Sequence, residues 1–215
     1  MGTLLECVVE TTEAAVAAER SGANRLELCV DLGAGGVTPP LDLVAAVAAR
    51  VSIPVFVMIR PRAGDFVYSD REVAGMLRDA ASAGARGAQG IVTGLLHADH
   101  RVDVARTRRV VEAAAGLPVT FHRAFDEVRD QRAAVEDLVS SGVRRVLTSG
   151  GAQTALEGME RLAVLVRLSA DRVTVLAGGG VRAHNVRAIV AGTGVKEVHA
   201  RFEDEAAARA LARLL

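Results

Sequence analysis

Several features that would point to particular protein classes are scarce or missing in this sequence. The 215 residues include no tryptophan, 3% aromatic residues and two cysteines, Cys7 and Cys29. Two cysteines outside a C-x-x-C pair are too few for a disulfide scaffold. Lysine plus arginine (26) equals aspartate plus glutamate (26). No basic stripe with interleaved aromatic residues occurs, so we do not expect a nucleic-acid-binding protein.

Signals for membrane insertion or export are also missing. No apolar run reaches the length of about 18 residues that a transmembrane helix needs. The first residues, M-G-T-L-L-E, do not form a basic segment followed by an apolar one, as a secretory leader would. The sequence therefore predicts a cytoplasmic protein without a membrane partner.

Apolar residues make up 50% of the chain and recur in a regular rhythm, which predicts the fold. Alanine-rich segments with helical periodicity separate short β-branched runs. Eight strands alternating with helices fit a (β/α)8 TIM barrel, an α/β fold, here as one domain over residues 1–215 near the short end of its size range. An open doubly wound sheet has the same periodicity, but the count of eight and the lack of an interdomain linker favour the barrel. The predicted strands lie at 3–9, 25–30, 53–60, 90–93, 118–122, 143–148, 173–177 and 195–199, and helices are expected at 12–21, 41–51, 70–83, 104–115, 131–140 and 156–169.

Polar residues inside the apolar runs show which face of each strand lines the barrel. In the second run, Arg25, Glu27 and Cys29 alternate with Leu26 and Leu28. Since leucine suits contact with the outer helices, the polar trio should face the lumen. The same alternation places further side chains in the lumen: Glu6, Phe56, Met58, Arg60, His122, Glu197 and His199.

Charged side chains in a lumen are costly unless they pair, so these groups should form an ionic cluster. Such a cluster could serve the scaffold alone. Arg60, Asp65, His122 and Arg123 nevertheless lie at strand ends or just beyond, where barrel proteins place their chemistry. These residues are therefore the favoured functional candidates. Cys29 also lies near a strand end, although a lone cysteine is more often a small buried hydrophobe.

Glycine-rich segments follow the sixth and seventh predicted strands. Thr148, Ser149 and Gly150 follow one strand, and Gly178 and Gly179 follow the next. Backbone N–H groups in such loops can approach an anion closely. These five residues are candidate ligand-binding groups, with tight turns as the alternative explanation.

The order of several motifs resembles the CutC family of copper homeostasis proteins. The resemblance covers the chain from the first strand to the eighth, and it depends on all of the motifs together. They are A-N-R-L-E-L-C (23–29), G-G-V-T-P (35–39), R-P-R-A-G-D-F-V-Y-S (60–69), I-V-T-G (91–94), T-F-H-R-A-F-D (120–126), R-V-L-T-S-G (145–150), A-G-G-G-V (177–181) and E-V-H (197–199).

The resemblance implies a TIM barrel, a cytoplasmic copper(I)-handling protein and a homo-oligomer, without an established reaction. Copper(I) prefers thiolate, thioether and imidazole ligands, so Cys29 and His122 are the candidate metal ligands. Three departures from the family pattern stand out. Family members usually have E-x-C in the first strand, whereas Glu6-Cys7 here turns Cys7 towards the helices. Ala34 replaces the acidic residue of E-G-G-[LV]-T-P, and the segment after E-V-H is shorter.

Three functional hypotheses follow. The first is copper(I) binding, with Cys29 and His122 as ligands. The second is a barrel enzyme for a small anionic, possibly phosphorylated, metabolite, because the charged surroundings suit such a ligand. In that enzyme His122, Glu27 and Asp65 would transfer protons. Its ligand would contact the other candidates: Glu6, Arg25, Arg60, Arg123, Thr148, Ser149, Gly150, Gly178, Gly179 and His199. The third is an oligomeric interaction module with an empty mouth.

Overall fold

The computed structural model describes residues 2–215 and contains a closed barrel of eight parallel strands in sequential order. The strands are β1 (Leu4–Val9), β2 (Arg25–Leu28), β3 (Val55–Met58), β4 (Gly90–Thr93), β5 (Val119–Phe121), β6 (Arg145–Thr148), β7 (Thr174–Ala177) and β8 (Glu197–Arg201). The outer helices are α1 (Thr12–Arg20), α2 (Leu41–Ala48), α3 (Asp70–Ala83), α4 (Val104–Ala113), α5 (Gln131–Ser141), α6 (Met159–Ser169), α7 (Val186–Thr193) and α8 (Glu205–Ala212). The predicted barrel is confirmed.

Side-chain alternation along the strands divides the interior into two apolar layers. Leu5, Cys7 and Val9 pack with the helices, in the large cluster between strands and helices. The lumen instead holds a smaller cluster of Val8, Cys29, Phe56, Met58 and Val92. Cys7 therefore faces the helices, as its phase predicts. Burial, with the negative charge of Glu6, raises the pKa of the Cys7 thiol to about 12, so this thiol is an unreactive core group.

Local signals set where most helices begin and end. Helix α3 begins with a capping box, in which Ser69 and Glu72 satisfy each other's backbone N–H groups. Asp130 accepts hydrogen bonds from the first backbone N–H groups of α5, and Gly142 ends that helix at φ 85°. The predicted helices are correct in type and place. Several predicted ends, such as residue 51 for α2, extend beyond the observed Ala48.

The bottom of the lumen, at the strand starts, is closed by an ionic layer that we call the floor. Arg25 forms an ion pair with Glu6 and lies 2.5 Å from Glu197, which also accepts from Arg145 at 3.1 Å. The Phe56 ring packs against both guanidinium groups, 5.0 Å from Arg25 and 5.2 Å from Arg145. The pairs satisfy the carboxylates, so the floor is a packed plug.

Phe56 fits into the floor because Gly90 leaves it room. A Cβ atom at position 90 would lie 2.5 Å from the Phe56 ring, closer than any real contact. This glycine is therefore explained by packing in the neighbouring strand.

No helix within residues 2–215 is both long enough and apolar enough to span a membrane.

Candidate functional site

The opposite end of the lumen, at the carboxyl ends of the strands, contains a cavity of about 310 Å³ that we call the mouth. It brings together five residues predicted from the sequence, together with apolar side chains from β3, β6 and two loops. Its lining consists of Glu27, Leu32, Gly35, Met58, Arg60, Phe66, His122, Arg123, Leu147 and His199. The charged and apolar groups converge in one concave site, as in ligand-binding pockets generally.

Three ionisable side chains from β1, β2 and β8 cluster where the mouth meets the floor. One ligand atom from each of Glu6, Glu27 and His199 lies within 4.8 Å of the other two. His199 Nδ1 lies 2.8 Å from Glu6 Oε1. Burial raises the pKa of Glu6, but the positive charge of Arg25 and the His199 hydrogen bond outweigh it and lower the pKa to about 2. Glu6 is thus an anion that orients the imidazole of His199.

The pKa values of Glu27 and His199 are both raised, but by different causes. Burial raises the pKa of Glu27 to about 7, assisted by the nearby charge of Glu6. Burial lowers the pKa of His199, but the charges of Glu27 and Glu6 outweigh it and raise the pKa overall. The Oε2 atom of Glu27 is buried and has no hydrogen-bond partner within residues 2–215. This carboxylate oxygen is therefore free to bind a ligand from the cavity.

His122 lies in the mouth, as predicted, and one of its two ring nitrogens is already hydrogen-bonded. Its Nδ1 accepts a hydrogen bond from the Ala124 backbone N–H at 3.1 Å, so the proton of the neutral ring is on Nε2. Nε2 is buried and has no partner in the described chain. Burial and the charge of Arg60 lower the pKa of the imidazole to about 3. His122 is therefore a neutral hydrogen-bond donor. With Nδ1 engaged by Ala124, this arrangement favours a donor role for His122 over the predicted roles of copper ligand and general base.

Two neighbours fix the orientation of the His122 ring. The Phe66 ring lies 4.9 Å from it, centroid to centroid. On the other side, a Cβ at Gly94 would lie 2.5 Å from the His122 ring. The I-V-T-G motif thus ends in glycine because the imidazole occupies the space of a side chain.

Arg60 organises the loops that surround the mouth. Its guanidinium group donates to the carbonyl of Gly36 at 3.0 Å and to that of Gly64 at 2.8 Å, and it stacks 4.9 Å from the centroid of the Phe66 ring. The backbone N–H of Arg60 donates to Thr38 Oγ1 at 2.8 Å. Arg60 thus joins the loops after β2 and β3, and its Nε atom alone has no partner in the described chain.

Cys29 lies two residues beyond Glu27, on the lumenal side of the chain. It is fully buried and packs with Met58 and Val8. Burial, followed by the charges of Glu27 and Glu10, raises the pKa of its thiol. Gly36 has φ 80°, and a Cβ there would lie 3.1 Å from the Cys29 Sγ atom. The thiol is therefore shielded by the loop that Arg60 holds in place.

Asp65 was expected to transfer protons, but it is not among the residues that line the mouth. Its side chain is 67% exposed and pairs with Arg62 at 3.0 Å. It also accepts from the backbone N–H of Val67 at 3.2 Å. These contacts hold Asp65 on the outer surface of the loop. The sequence places it near a strand end but cannot show the direction in which a loop side chain points.

The loop after β6 binds an anion, but the anion belongs to the chain itself. The carboxylate of Asp126 accepts hydrogen bonds from the backbone N–H groups of Ser149 (3.1 Å) and Gly151 (3.0 Å) and from Thr148 Oγ1 (2.5 Å). Gly150 N–H donates to Thr148 Oγ1 at 2.9 Å. Asp126 thus occupies the donors of Thr148 and Ser149, and Thr148 occupies that of Gly150, so the predicted ligand-binding role of these three residues gains no support from their hydrogen bonds.

Asp126 is the functional residue that the sequence interpretation missed. It ends the motif T-F-H-R-A-F-D, and it pairs with Arg123 at 2.8 Å. The spacing of three residues between Arg123 and Asp126 is typical of such local pairs and was the available signal. The target of the carboxylate, a loop more than 20 residues further along the chain, is set by the tertiary structure.

The loop after β7 differs from the loop after β6. The Gly178 N–H donates to the Thr148 carbonyl at 3.0 Å and continues the sheet. Gly179 and Gly180 follow at φ 100° and 68°, in the left-handed region that favours glycine. They line a second cavity of about 240 Å³, which meets the mouth at Leu32, Arg123 and His199.

Comparisons with known proteins agree with this architecture. The model of the CutC family matches residues 3–204. The human copper homeostasis protein cutC homolog is 46% identical over 198 residues, which cover 92% of this chain and 72% of that protein. A CutC family protein of Xanthomonas campestris pv. campestris (strain B100) is 44% identical over 205 residues, covering 95% and 85%.

Solved structures give the same result. A crystal structure described as that of a copper homeostasis protein CutC from Streptococcus agalactiae has a TM-score of 0.88 and 32% identity, covering 92% of this chain and 97% of that one. An aldolase with a TM-score of 0.73 and 12% identity shares the fold alone. The matched residues span all eight strands and the mouth that they build, and the chain belongs to the CutC family of copper homeostasis proteins.

Proposed function

We propose that this protein binds copper(I) in the cytoplasm, at the mouth of its barrel, with Glu27, His199 and Cys29 as donors. The observation that carries the proposal is the compact cluster of Glu6, Glu27 and His199, in which a buried carboxylate oxygen has no protein partner. Self-association and cytoplasmic location are predictions from the family resemblance and the sequence.

The hydrogen bonding of His199 supports a metal site. Its Nδ1 bonds Glu6, so Nε2 is the nitrogen left for a ligand. A histidine whose other nitrogen is held by a carboxylate is the usual arrangement at metal centres. Glu6 itself pairs with Arg25 and His199, so its role would be to orient the imidazole of His199.

The charges around the cluster also suit a monovalent cation. With Glu27 ionised and His199 neutral, the carboxylates of Glu6, Glu27 and Glu197 face the guanidinium groups of Arg25 and Arg145. One net negative charge results, and deprotonation of Cys29 would add a second. Copper(I) would offset one of the two.

Cys29 would supply the soft donor that copper(I) prefers. It follows Glu27 by two residues on the lumenal side, a separation of about 7 Å along an extended chain. Met58 packs beside it. Binding would require the thiol to lose its proton, at a cost that metal coordination offsets.

An anaerobic titration of copper(I) against a competing chelator tests the proposal. Wild type is expected to bind one ion, Glu27→Gln to bind at least tenfold more weakly, and Cys29→Ser to lose the site. Cys7→Ser is the matched control, because Cys7 is equally buried but faces the helices; it should bind like wild type. Wild-type affinity in both Glu27→Gln and Cys29→Ser would exclude copper(I) from the mouth.

A further inference from the structure

We propose that the second cavity, between the ends of β7 and β8, is a binding site for the phosphoryl group of a small phosphate monoester. The proposal concerns different donors from the copper site and does not depend on it. We call this cavity the anion pocket. Its volume is about 240 Å³, and its polar lining is Arg123, Gly179, Gly180, Arg182, His199 and Arg201.

The lining of the anion pocket is cationic, although Arg123 is paired with Asp126 at 2.8 Å. Three arginine side chains line it, and its lining within residues 2–215 includes no acidic residue. Arg182 is neutralised by Glu203 at 2.5 Å. Arg201, in contrast, has no carboxylate within ion-pairing distance in the described part of the chain. A cation at the rim of a pocket without an acidic partner attracts an anionic ligand.

The position of Arg201 follows from the strand that carries it. It is the last residue of β8, and it shares the phase of Glu197 and His199. Alternation along the strand therefore directs it towards the lumenal side, at the rim of the barrel.

The backbone of the β7 loop supplies uncharged donors to the same pocket. Among the hydrogen bonds of residues 2–215, none uses the N–H of Gly179 or of Gly180, whereas the carbonyls of both residues are engaged by Ala155 and Asn185. Successive backbone N–H groups in a turn conformation can form a concave anion-binding surface. A Cβ at Gly179 would lie 3.5 Å from the Arg123 guanidinium carbon, so the cation packs beside this glycine.

The neighbouring loop after β6 is an internal example of the same chemistry. There, glycine and serine N–H groups bind an oxyanion, the carboxylate of Asp126. Arg123 connects the two loops, since its Nε donates to Asp126 at 2.8 Å and its Nη2 to Ser149 at 3.1 Å. These bonds aim the remaining Nη1 at Gly179. Asp126 is thus a positioning residue for the open pocket.

The number of donors favours a phosphoryl group over a carboxylate. Two backbone N–H groups and the guanidinium groups of Arg123 and Arg201 approach from different elements, which suits three terminal oxygens and a double negative charge. The organic part of the monoester would extend into the mouth. There the unpartnered His122 Nε2–H would donate to one of its hydroxyl or carbonyl oxygens.

Isothermal titration calorimetry at low ionic strength, with inorganic phosphate, glycerol phosphate and glycerol as probes, tests this site. Wild type is expected to bind both phosphates, the ester more tightly, and not glycerol. Arg201→Gln, which breaks no ion pair, should weaken phosphate binding at least tenfold. Arg109→Gln, an exposed change on α4 outside the pocket, should leave it within about twofold.

The same variants separate this proposal from copper binding. Cys29→Ser should bind phosphate like wild type. Arg201→Gln should keep one-to-one copper(I) binding, with only the small loss of affinity expected from removing a positive charge near the Cys29 thiol. Phosphate affinity that is equal in wild type and Arg201→Gln, or no phosphate binding at millimolar concentration, would overturn the anion pocket whatever the copper result.

Discussion

The floor and the mouth of the barrel lumen contain the same kinds of residue but differ in how their carboxylates are paired. Every floor carboxylate has an arginine partner, and the unpartnered buried floor atom in the described chain is the Nη1 of Arg145. On the floor, Arg25 connects Glu6 and Glu197, and Phe56 fills the space between the cations. In the mouth, Glu27 and His122 each keep a buried polar atom without a protein partner. Unpaired buried groups are costly. The floor therefore contributes to folding, whereas the mouth retains an energetic cost that a ligand could remove.

The two glycine loops show the same contrast on a smaller scale. The donors of the β6 loop are filled by Asp126, which joins the loop to the end of β5. The N–H groups of Gly179 and Gly180 in the β7 loop have no acceptor in residues 2–215. The glycine-rich loop after β6 thus has a structural role, whereas the glycine-rich loop after β7 has, as we propose, a binding role.

Breaking the floor should have the largest effect on stability. Glu6→Gln leaves the buried Arg25 with only Glu197 as a charged partner, and we expect it to lower the free energy of unfolding by about 3–5 kcal/mol. Urea denaturation at pH 7 measures this difference. Glu205→Gln, which removes a half-exposed pair with Arg209 on α8, is the control and should cost less than about 1 kcal/mol. Equal losses in both variants would show that the floor is not structural.

Replacing Glu27 in the mouth should instead raise the free energy of unfolding at alkaline pH. The pKa of Glu27 is about 7 in the folded protein, against 4.5 as the reference value, so the native state binds more protons between these pH values. Stability of the metal-free protein therefore falls as pH rises through 7. Glu27→Gln does not titrate and should be more stable than wild type at pH 8.5, by about 2–3 kcal/mol.

Chemical denaturation of both proteins at pH 5 and pH 8.5 provides the measurement. The advantage of Glu27→Gln should grow between the two pH values. An advantage that is the same at both would mean that burial of the carboxylate is not its cause.

Lowering the pH should reduce the stability of the folded protein, because His122 is buried in its neutral form. The pKa of this imidazole is about 3 in the folded protein, against 6.5 as the reference value. Between these values the unfolded chain binds more protons, so stability decreases as pH falls below 6.5, by about 2 kcal/mol at pH 5. His122→Asn keeps an acceptor for the Ala124 N–H and should reduce the slope of stability against pH over this range.

The slope, not the absolute stability, is the relevant result, because asparagine also leaves a small cavity. His184→Asn, at an exposed position on the α7 side, controls for the loss of one imidazole and should keep the wild-type slope. An unchanged slope in His122→Asn would mean that His122 is not a buried neutral group.

Much of the fold was predictable because strand and helix periods appear directly in the pattern of apolar residues. The eight strands, the lumenal phase of Arg25, Glu27 and Cys29, and the outward phase of Cys7 follow from alternation alone. Strand ends were less predictable. The run at 25–30 continues beyond the observed end of β2 at Leu28, because Val30 pairs with Val37 within the following loop.

The candidate site was predictable only where a residue lies on a strand. Glu6, Glu27 and His199 meet because parallel strands bring equal heights of the barrel together. Loop residues were different. Asp65 points outward to Arg62, and Asp126 fills a loop that the sequence assigned to a ligand. The direction in which either side chain points cannot be deduced from the periodicity of the surrounding sequence.

The sequence by itself thus determined the barrel, the side of each strand that faces the lumen and the family, since these depend on periodicity and on motifs in a fixed order. Only the tertiary structure decided which polar groups are satisfied. The imidazole of His122 became a donor when its Nδ1 met the Ala124 N–H. The β7 loop stayed open because Asp126 reaches the loop after β6. Hydrogen bonds between distant segments have direction and saturate, and their partners are fixed only when the chain has closed into a barrel.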